Sequence, residues 1–469
     1  MALYSSLLVL LCMLLRRPLC LSLNSRLPAK PIARSLRSPR MPYRKTSSSS
    51  GGDAAVAEER AFTIQPRIDG SSLVHCPVEK YEDQLGEKLA ILKTLLQPYY
   101  SGDVDVFKSQ PSHYRMRANF NVWRDDRRSD DPSGMFYAMW NEDKKPVEIK
   151  SFPRGCERIN ELMQQLFEQL AADATGLLAK GLFEVRFVAA TTGQAVVVMI
   201  YRQPLIDEWR PVAAAAAAAM SANIVGRSRK LKVVVGCKGG ESVGSVDDDD
   251  NSSSAEIIEE CLRIESRDHY YLYQTEGAFS QPNAKVCEQM INWCLRHTAD
   301  SHDQDLLELY CGGGTFTLAL AGNFNKVIAT EVSKQSVQLA TMAIKKNNVS
   351  NVQIAKLSAE EFSEAFTGTR RFQRLLDAGI DFSKANIRTV FVDPPRAGID
   401  AETCRLLCSF ERVVYVSCNP ETLARDLAVF AATHDVVAAA AFDQFPYTHH
   451  LECGAVIQKR GSKRKADGL

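Results

Sequence analysis

The sequence predicts an α/β fold in which a doubly wound, mostly parallel sheet is preceded by an α+β domain. From about residue 280 to 459, short β-rich runs alternate with helical patterns, which is the order that parallel sheets produce. From about residue 76 to 275, helical periodicity and strand-like alternation are mixed without that regular order. The length of 469 residues also favours two or three domains.

The predicted organisation is a presequence at residues 1–52, a linker at 53–75, the α+β domain at 76–275, the doubly wound domain at 276–459 and a basic tail at 460–469. Residues 1–52 hold nine Lys or Arg and no acid, and are rich in Arg and Ser. This composition is typical of a mitochondrial or plastid transit peptide; the alternative is a retained tail on a cytoplasmic protein. The apolar run at residues 7–15 is too short to span a bilayer, so we expect no membrane attachment after processing.

Charge and cysteine content narrow the functional classes. Without residues 1–52, the chain has 48 basic and 56 acidic residues, so a nucleic acid would need a localised basic face. The thirteen cysteines are scattered singly, with no CxxC pair and no spacing typical of zinc or iron–sulfur sites. We therefore expect free thiols, a reducing compartment and no metal.

In the α+β domain, helices and strands are predicted from periodicity. The helical stretches are YEDQLGEKLAILKTLLQPY and ERINELMQQLFEQLAADA, and the strand-like stretches are RMRANFNVW and FEVRFVAATTGQAVVVMIY. The alanine run of PVAAAAAAAM predicts a further helix, whereas SVDDDDNSSS predicts a solvated insertion.

The doubly wound domain is predicted to begin with a helix, after which strands and helices alternate. The strand-like runs, in order, are LLELY, KVIATEV, VQIAKL, TVFVDPP, RVVYVSC and GAVIQK. A glycine turn and a helix follow the first run. In such sheets, ligands bind outside the carboxyl ends of the strands.

The first two of these carboxyl ends predict a site for an adenosine-containing cofactor. Gly312, Gly313 and Gly314 lie between a strand and a predicted helix, where backbone N–H groups can approach a ligand closely. Glu331 ends the next strand, where a carboxylate can bind both hydroxyls of a ribose. A dinucleotide fingerprint would need glycine where Thr317 stands, so nicotinamide cofactors and S-adenosylmethionine both stay open.

Two later carboxyl ends carry residues suited to chemistry. Asp393 stands in FVDPPRAG, where two prolines end the fourth strand, and Cys418 stands at the end of the fifth strand. A lone cysteine is usually a core residue, but a helix N-terminus follows Cys418 and is expected to lower the pKa of its thiol. Glu452, in FDQFPYTHHLECGAV, is a candidate general base over the same pocket. The cysteines that we predict to be core residues are Cys12, Cys20, Cys156, Cys261, Cys287, Cys294, Cys404 and Cys408.

From about residue 80 to 459, the chain closely resembles the tRNA (uracil-5-)-methyltransferase family. The matching blocks are YEDQLGEK, SHYRMRANF, SFP, IVGRSRK, FSQPNA, LELYCGGGTFTLALA, ATEVSKQSV, FVDPPRAGID, YVSCNPETLARDL and FDQFPYTHHLECG. Their number and order are far more specific than any single motif. The resemblance implies a Rossmann-like methyltransferase domain that uses S-adenosylmethionine.

The resemblance also implies roles for individual residues. Uracil C5 is too weak a nucleophile to take a methyl group until a thiolate adds at C6. Cys418 is implied as that nucleophile, and Glu452 as the base that removes the C5 proton. The implied cofactor-binding residues are Gln281, Tyr310, Gly312, Gly314, Thr315, Glu331 and Asp393. Thr315 departs from the family pattern, in which asparagine is common at this position.

The α+β domain is expected to bind RNA, and the expected substrate is the T-loop uridine of tRNA, acted on by a monomer. Candidate contacts are His113, Tyr114, Arg115, Arg117, Phe120, Trp123, Arg124, Arg227, Arg229, Lys230 and Lys232. Their alternative interpretation is a strand with a solvated charged face. For the whole chain, a ribosomal-RNA uracil-5 methyltransferase and a non-catalytic tRNA-binding or tRNA-folding module also stay open.

Overall fold

The computed structural model describes residues 76–125, 134–141, 145–229, 231–245 and 256–462, all of which belong to one compact unit. The predicted presequence and linker, most of the acidic insertion and the last seven residues of the predicted tail lie outside these ranges. Among the described residues, no helix is long and apolar enough to cross a bilayer.

The described ranges contain ten α-helices and eighteen β-strands. The helices are α1 (Tyr81–Leu96), α2 (Glu157–Ala172), α3 (Trp209–Met220), α4 (Ala284–Arg296), α5 (Thr317–Leu320), α6 (Lys334–Lys346), α7 (Ala359–Phe366), α8 (Gln373–Asp377), α9 (Ala401–Leu407) and α10 (Pro420–Phe430). The first nine strands are β1 (Val104–Phe107), β2 (Arg117–Arg124), β3 (Met135–Trp140), β4 (Pro146–Ile149), β5 (Leu182–Ala189), β6 (Ala195–Tyr201), β7 (Asn223–Arg227), β8 (Leu231–Val235) and β9 (Glu241–Ser245). The other nine are β10 (Ile258–Ile264), β11 (Arg267–Gln274), β12 (Asp305–Leu309), β13 (Lys326–Glu331), β14 (Val352–Lys356), β15 (Ile387–Val392), β16 (Arg412–Ser417), β17 (His434–Phe442) and β18 (Glu452–Lys459).

The C-terminal half forms a mixed eight-stranded sheet in the order β1-β17-β18-β16-β15-β12-β13-β14. Strands β12 to β16 pair in parallel, whereas β18 is antiparallel to both β16 and β17. Adjacent residues of β12, Leu306 and Leu307, belong to different apolar clusters, so both faces of the sheet are covered. The predicted doubly wound architecture is therefore confirmed.

Three features of this sheet differ from the prediction. Strand β17 was not predicted, because the alanines of HDVVAAAAF give no β-propensity signal. Strand β1 comes from the predicted α+β domain, yet it pairs in parallel with β17. The helix predicted after the glycines is α5, a single turn that continues as a short 3₁₀ segment at Ala321–Asn323.

Strands β2 to β9 of the N-terminal half form a second eight-stranded sheet, in the order β4-β3-β2-β5-β6-β7-β8-β9. The predicted helices α2 and α3 pack on it, and α3 connects the parallel strands β6 and β7. The alanine run therefore is a helix, as predicted, and it buries Trp209 and Met220 at its two ends.

The hairpin β10–β11 forms a separate two-stranded sheet that packs on α4 and α6. It lies between the two large sheets in chain order. The domain boundary between residues 275 and 276 stays a prediction. On its N-terminal side, β1 pairs with the C-terminal sheet and α1 packs on α10.

The first residue of the predicted basic tail, Arg460, is bound to the folded unit. Arg460 forms an ion pair with Asp435 and donates hydrogen bonds to the carbonyls of Ala431, Ala432 and His434. It therefore binds to the end of α10 and the start of β17, as part of the folded unit.

Candidate active site

The strand register brings the predicted site residues to one edge of the C-terminal sheet. Leu309 pairs with both Thr330 and Val392, and Val392 pairs with Tyr415. The next residues along these strands include four of the predicted ones: Tyr310, Glu331, Asp393 and, three positions beyond Tyr415, Cys418. The carboxyl ends of these neighbouring parallel strands therefore lie along one edge of the sheet, which is where ligands bind in sheets of this kind.

The glycine turn after β12 is bound to the end of β13. The N–H of Gly312 donates to Glu331 Oε2 at 2.9 Å, and the N–H of Ser333 donates to Glu331 Oε1 at 2.8 Å. Tyr310, Gly312 and Gly314 all have positive φ angles, of 55° to 84°, so the backbone here turns sharply. The carboxylate of Glu331 is therefore fixed beside the turn, where a ribose would bind.

Gln281 and Thr315 meet at a small cavity of about 20 Å³, which Gly313 and Phe279 also line. Gln281 is 8% exposed, and its Oε1 has no hydrogen-bond partner among the described residues. A buried amide oxygen without a partner is costly, which fits a site that a ligand completes. The residues of this edge therefore fit an adenosine-containing cofactor, with Thr315 on the same cavity as Gln281.

Cys418 and Glu452 adjoin the last pair of the β16–β18 ladder. Ser417 pairs with Cys453 there, Cys418 follows Ser417, and Glu452 precedes Cys453. The Glu452 carboxyl group acts on the pKa of the Cys418 thiol, so the two side chains are neighbours. Glu452 is 3% exposed, and its Oε2 has no hydrogen-bond partner in the described part of the chain.

The electrostatics of this pair correct one expectation. The pKa of the Cys418 thiol is raised to about 11, first by burial and then by the Glu452 and Asp393 carboxyl groups, so it is not lowered by the helix N-terminus. Burial, and then the charge of Asp393, raises the pKa of Glu452 well above its usual value, and burial also raises the pKa of Asp393. Arg396 is the nearby cation that acts to lower the thiol pKa.

An open cleft of about 770 Å³ leads to Cys418 from the second sheet. Its lining carries five arginines and one carboxylate, that of Glu276. The arginines are Arg115, Arg117, Arg154, Arg186 and Arg396. After residue 52 the chain has more acidic than basic residues, and this is the localised basic face that it needs in order to bind a polyanion.

Several predicted RNA contacts have structural roles instead. Phe120 is 1% exposed in the core and Tyr114 is buried, with its hydroxyl donating to the Pro446 carbonyl. Arg227 forms an ion pair with Glu276 at 2.6 Å, and Lys232 forms a buried ion pair with Glu256 at 3.1 Å. Phe120 is therefore not available for stacking, and Tyr114, Arg227 and Lys232 are bound to other groups of the protein.

The remaining predicted contacts differ in exposure. Arg117 donates to the carbonyls of Thr275, Glu276 and Ala278 while lining the cleft, and Arg115 lines it too. The exposed members of the predicted set are His113, Trp123, Arg124 and Arg229, whereas Lys230 lies outside the described residues.

Sequence reasoning missed residues that only the packing brings together. Arg154, Arg186, Arg396 and His450 come from four separate chain segments and meet in the cleft. Tyr270, on the β10–β11 hairpin, is fully buried and donates to the carbonyls of Gly314 and Thr315. The motifs FVDPPRAG and FPYTHHLECG contained Arg396 and His450, but no local pattern separated them from surface residues.

The cysteines of the described residues are unpaired, and these residues contain no cluster of metal ligands. All eleven cysteines of the described residues are free thiols; among those expected in the core, Cys287, Cys294 and Cys404 are buried, whereas Cys156, Cys261 and Cys408 are half-buried. Cys12 and Cys20 lie outside the described residues. No group of three His, Cys, Asp or Glu side chains in the described ranges is arranged to hold a metal ion.

The chain is similar to known proteins over most of its length. A family model described as tRNA (Uracil-5-)-methyltransferase matches residues 80–460. The tRNA/tmRNA (uracil-C(5))-methyltransferase of Saccharophagus degradans is 44% identical over 383 residues, which are 81% of this chain and 97% of the relative. The protein of the same description from Cellvibrio japonicus is 42% identical over 381 residues, covering 81% of this chain and 96% of its own.

A solved structure has a similar fold. It is the tRNA (uracil-54, C5)-methyltransferase of Pyrococcus abyssi in complex with S-adenosyl-L-homocysteine, with a TM-score of 0.58 and 21% sequence identity. The similarity covers 83% of this chain and 87% of that one.

Proposed function

Because this chain belongs to the tRNA (uracil-5-)-methyltransferase family, we propose that it methylates C5 of the T-loop uridine at position 54 of tRNA. Its relatives of 44% and 42% identity carry tRNA/tmRNA uracil-C5 methyltransferase names, and the Pyrococcus protein of similar fold is described as acting on uracil 54. The observation that carries the mechanism is that Cys418 lines an arginine-rich cleft and has the Glu452 carboxyl group as its neighbour.

Cys418 supplies the covalent step. Its sulfur forms a bond with uracil C6 as the thiol proton leaves to solvent, and the electron pair of the C5–C6 bond moves onto C5 and O4. C5 then becomes electron-rich enough to accept a methyl group. The raised thiol pKa means that the free enzyme holds Cys418 protonated at neutral pH, so the nucleophile forms when substrate is bound.

Glu452 completes the reaction. After methylation, C5 carries both a hydrogen and a methyl group, and the Glu452 carboxylate takes the C5 proton. The electrons of the C5–H bond restore the C5–C6 double bond, the S–C6 bond breaks and the Cys418 thiolate is released. Burial, and then the charge of Asp393, raises the pKa of Glu452, which makes its carboxylate a stronger base for this proton.

S-adenosylmethionine, when bound, supplies an electrophilic methyl group. Glu331 and the N–H groups of the glycine turn are placed to bind its ribose end, and Gln281 and Thr315 line the adjoining cavity. Asp393 stands between this edge and Cys418.

The substrate enters along the basic cleft. Cys418 is half-buried below the arginines, so a uridine must leave the folded T-loop to reach its sulfur. The arginines bind the phosphates on either side of the extruded base.

The test is methyl transfer from labelled S-adenosylmethionine to tRNA transcripts with or without the T-loop uridine. Wild type is expected to label only the transcript with the uridine, Cys418→Ala to be inactive and the matched thiol variant Cys408→Ala to be active. Label in ribosomal RNA instead would retain the mechanism and overturn the substrate. Binding of tRNA without any transfer would support a folding module.

We also propose that residues 1–52 direct the protein to a mitochondrion or plastid. The family match begins at residue 80, so this segment is additional to the part shared with the family. A fluorescent protein fused to residues 1–52 is expected to enter one of these organelles, and a uniform cytoplasmic signal would contradict the proposal.

A further inference from the structure

The loop at residues 443–451 joins β17 to β18 and leads directly to Glu452. Residues of this loop also form part of the wall of the cleft. Phe442 and Glu452 pair across the two strands, so Asp443 starts the loop beside the residue that ends it. Phe445, Thr448 and His450 from this loop line the cleft together with Cys418. The loop therefore shapes part of the cleft wall and leads directly into Glu452, the first residue of β18.

Helix α1, far away in the sequence, binds this loop from outside the cleft. Lys88 Nζ donates to Asp443 Oδ1 at 2.7 Å and to the Phe445 carbonyl at 2.9 Å. Gln84 Nε2 donates to Asp443 Oδ2 at 3.3 Å, and the N–H of Tyr447 donates to Gln84 Oε1 at 3.2 Å. Two side chains one helical turn apart thus bind three residues of the loop.

The loop needs such support at Tyr447. This residue has a φ of 59°, a left-handed conformation that is unfavourable for residues other than glycine. Besides the bond to Gln84, its hydroxyl donates to the Pro111 carbonyl at 2.7 Å, and its ring packs edge-on against Tyr81 of α1. A strained residue persists where its surroundings determine it, and α1 provides much of these surroundings.

Stability alone gives a weak reason for the Lys88–Asp443 pair. Both side chains are almost fully buried, at 6% and 0% exposure, and moving two charges out of water offsets most of their attraction. A buried ion pair is better suited to fixing one arrangement of a segment. Glu452 follows this loop directly, and its Oε2 lacks a hydrogen-bond partner in the described chain, so the carboxyl group depends on the backbone at the start of β18 for its position.

We propose that Lys88 and Gln84 are positioning residues for the Glu452 loop and thereby for the removal of the C5 proton. This inference rests on the proposed function. Methyl transfer precedes proton removal, so a displaced Glu452 should leave RNA methylated, still carrying the C5 hydrogen and bound to Cys418.

The experiment compares two products of one reaction on a tRNA transcript that contains tritium at uridine C5, with methyl-labelled S-adenosylmethionine. Wild type should release one tritium for each methyl group incorporated. In Gln84→Met, and in the double variant Lys88→Met with Asp443→Leu, which leaves no lone buried charge, the methyl-to-tritium ratio should rise about tenfold. A denaturant-resistant RNA–protein adduct should accumulate in both.

Lys108→Met is the matched control, because Lys108 forms an ion pair with Glu82 of α1 at 2.8 Å on the exposed side. Its ratio should stay at one. If the test variants lose both products in parallel without adduct, their role is merely structural and the inference is overturned, as it is if their ratio stays at one. A wild type that transfers no methyl group would overturn the proposed function, and the inference with it.

Discussion

At the scale of single residues, the reactivity of Cys418 depends on its neighbours. Burial and two carboxyl groups raise its thiol pKa to about 11, so the thiolate is a minor form at neutral pH. This protects the thiol from oxidation and from unwanted electrophiles when no substrate is present. Because carboxyl groups contribute to this shift, the rate at which the Cys418 thiol of the free enzyme reacts depends on the charge of these groups.

Alkylation by iodoacetamide tests this account without RNA. Because only the thiolate reacts, the rate at Cys418 should rise about tenfold per pH unit below the thiol pKa. Glu452→Gln removes one of the groups that raise this pKa, so more thiolate should be present, and alkylation between pH 8 and 10 should be faster than in wild type. The modified peptide is quantified by mass spectrometry, and an unchanged rate in Glu452→Gln would contradict the charge assignment.

At the scale of elements, the turn between β12 and α5 combines two glycines in left-handed conformations with different surroundings. A Cβ atom at Gly314, where φ is 84°, would lie 2.5 Å from Leu318 Cδ1 and 3.3 Å from Ala340 Cβ. At Gly312, where φ is 55°, a Cβ atom would meet nothing within 4 Å. The second glycine therefore lets α5 and α6 approach the turn.

Alanine substitutions separate conformational strain from steric overlap. Gly312→Ala should lower the free energy of unfolding by about 1 kcal/mol, from backbone strain alone. Gly314→Ala adds overpacking, which typically costs about 1–3 kcal/mol more. Urea unfolding of the two variants measures the difference, and equal losses would show that α5 and α6 adjust freely.

Element-scale patterns explain what could be predicted from the sequence. Alternating strands and helices predicted the doubly wound sheet, and the carboxyl ends of β12, β13, β15 and β16 predicted the residues that the register brings together. Strand β17 was missed because its alanines carry no strand preference. The partner of Arg227 was missed because Glu276 lies 49 residues later in the chain, and only folding brings the two together.

At the scale of the whole molecule, strands of the second sheet and loops of the C-terminal sheet line the cleft together. The exposed face of β2 starts in the cleft with Arg117 and Asn119 and continues to Trp123, which is 39% exposed. Trp140 of β3 is 50% exposed, and its ring packs edge-on against Trp123 with centroids 5.7 Å apart. Exposed aromatic rings about 13 Å along a strand from the cleft are suited to stacking a base of the bound RNA.

Trp123→Ala should therefore weaken tRNA binding about tenfold, because stacking of one base contributes about 1–3 kcal/mol. The expected effect is on KM for tRNA, with kcat little changed, since Trp123 does not line the cleft at Cys418. Leu376→Ala is the control, as Leu376 is an exposed apolar side chain on α8. Equal KM values for wild type and Trp123→Ala would exclude the tryptophan pair from the RNA-binding surface.

The pairing of β1 with β17 has a consequence for how the protein is made. Val104 pairs with Ala439, which the ribosome adds 335 residues later, and α1 binds a loop that is synthesised later still. The C-terminal sheet therefore cannot be completed before residue 439 has been synthesised, and β1 stays unpaired until then. A fragment that starts at residue 276 would lack β1, so the edge of β17 would be unpaired and prone to aggregation. We therefore expect the C-terminal half to need the N-terminal segment in order to fold.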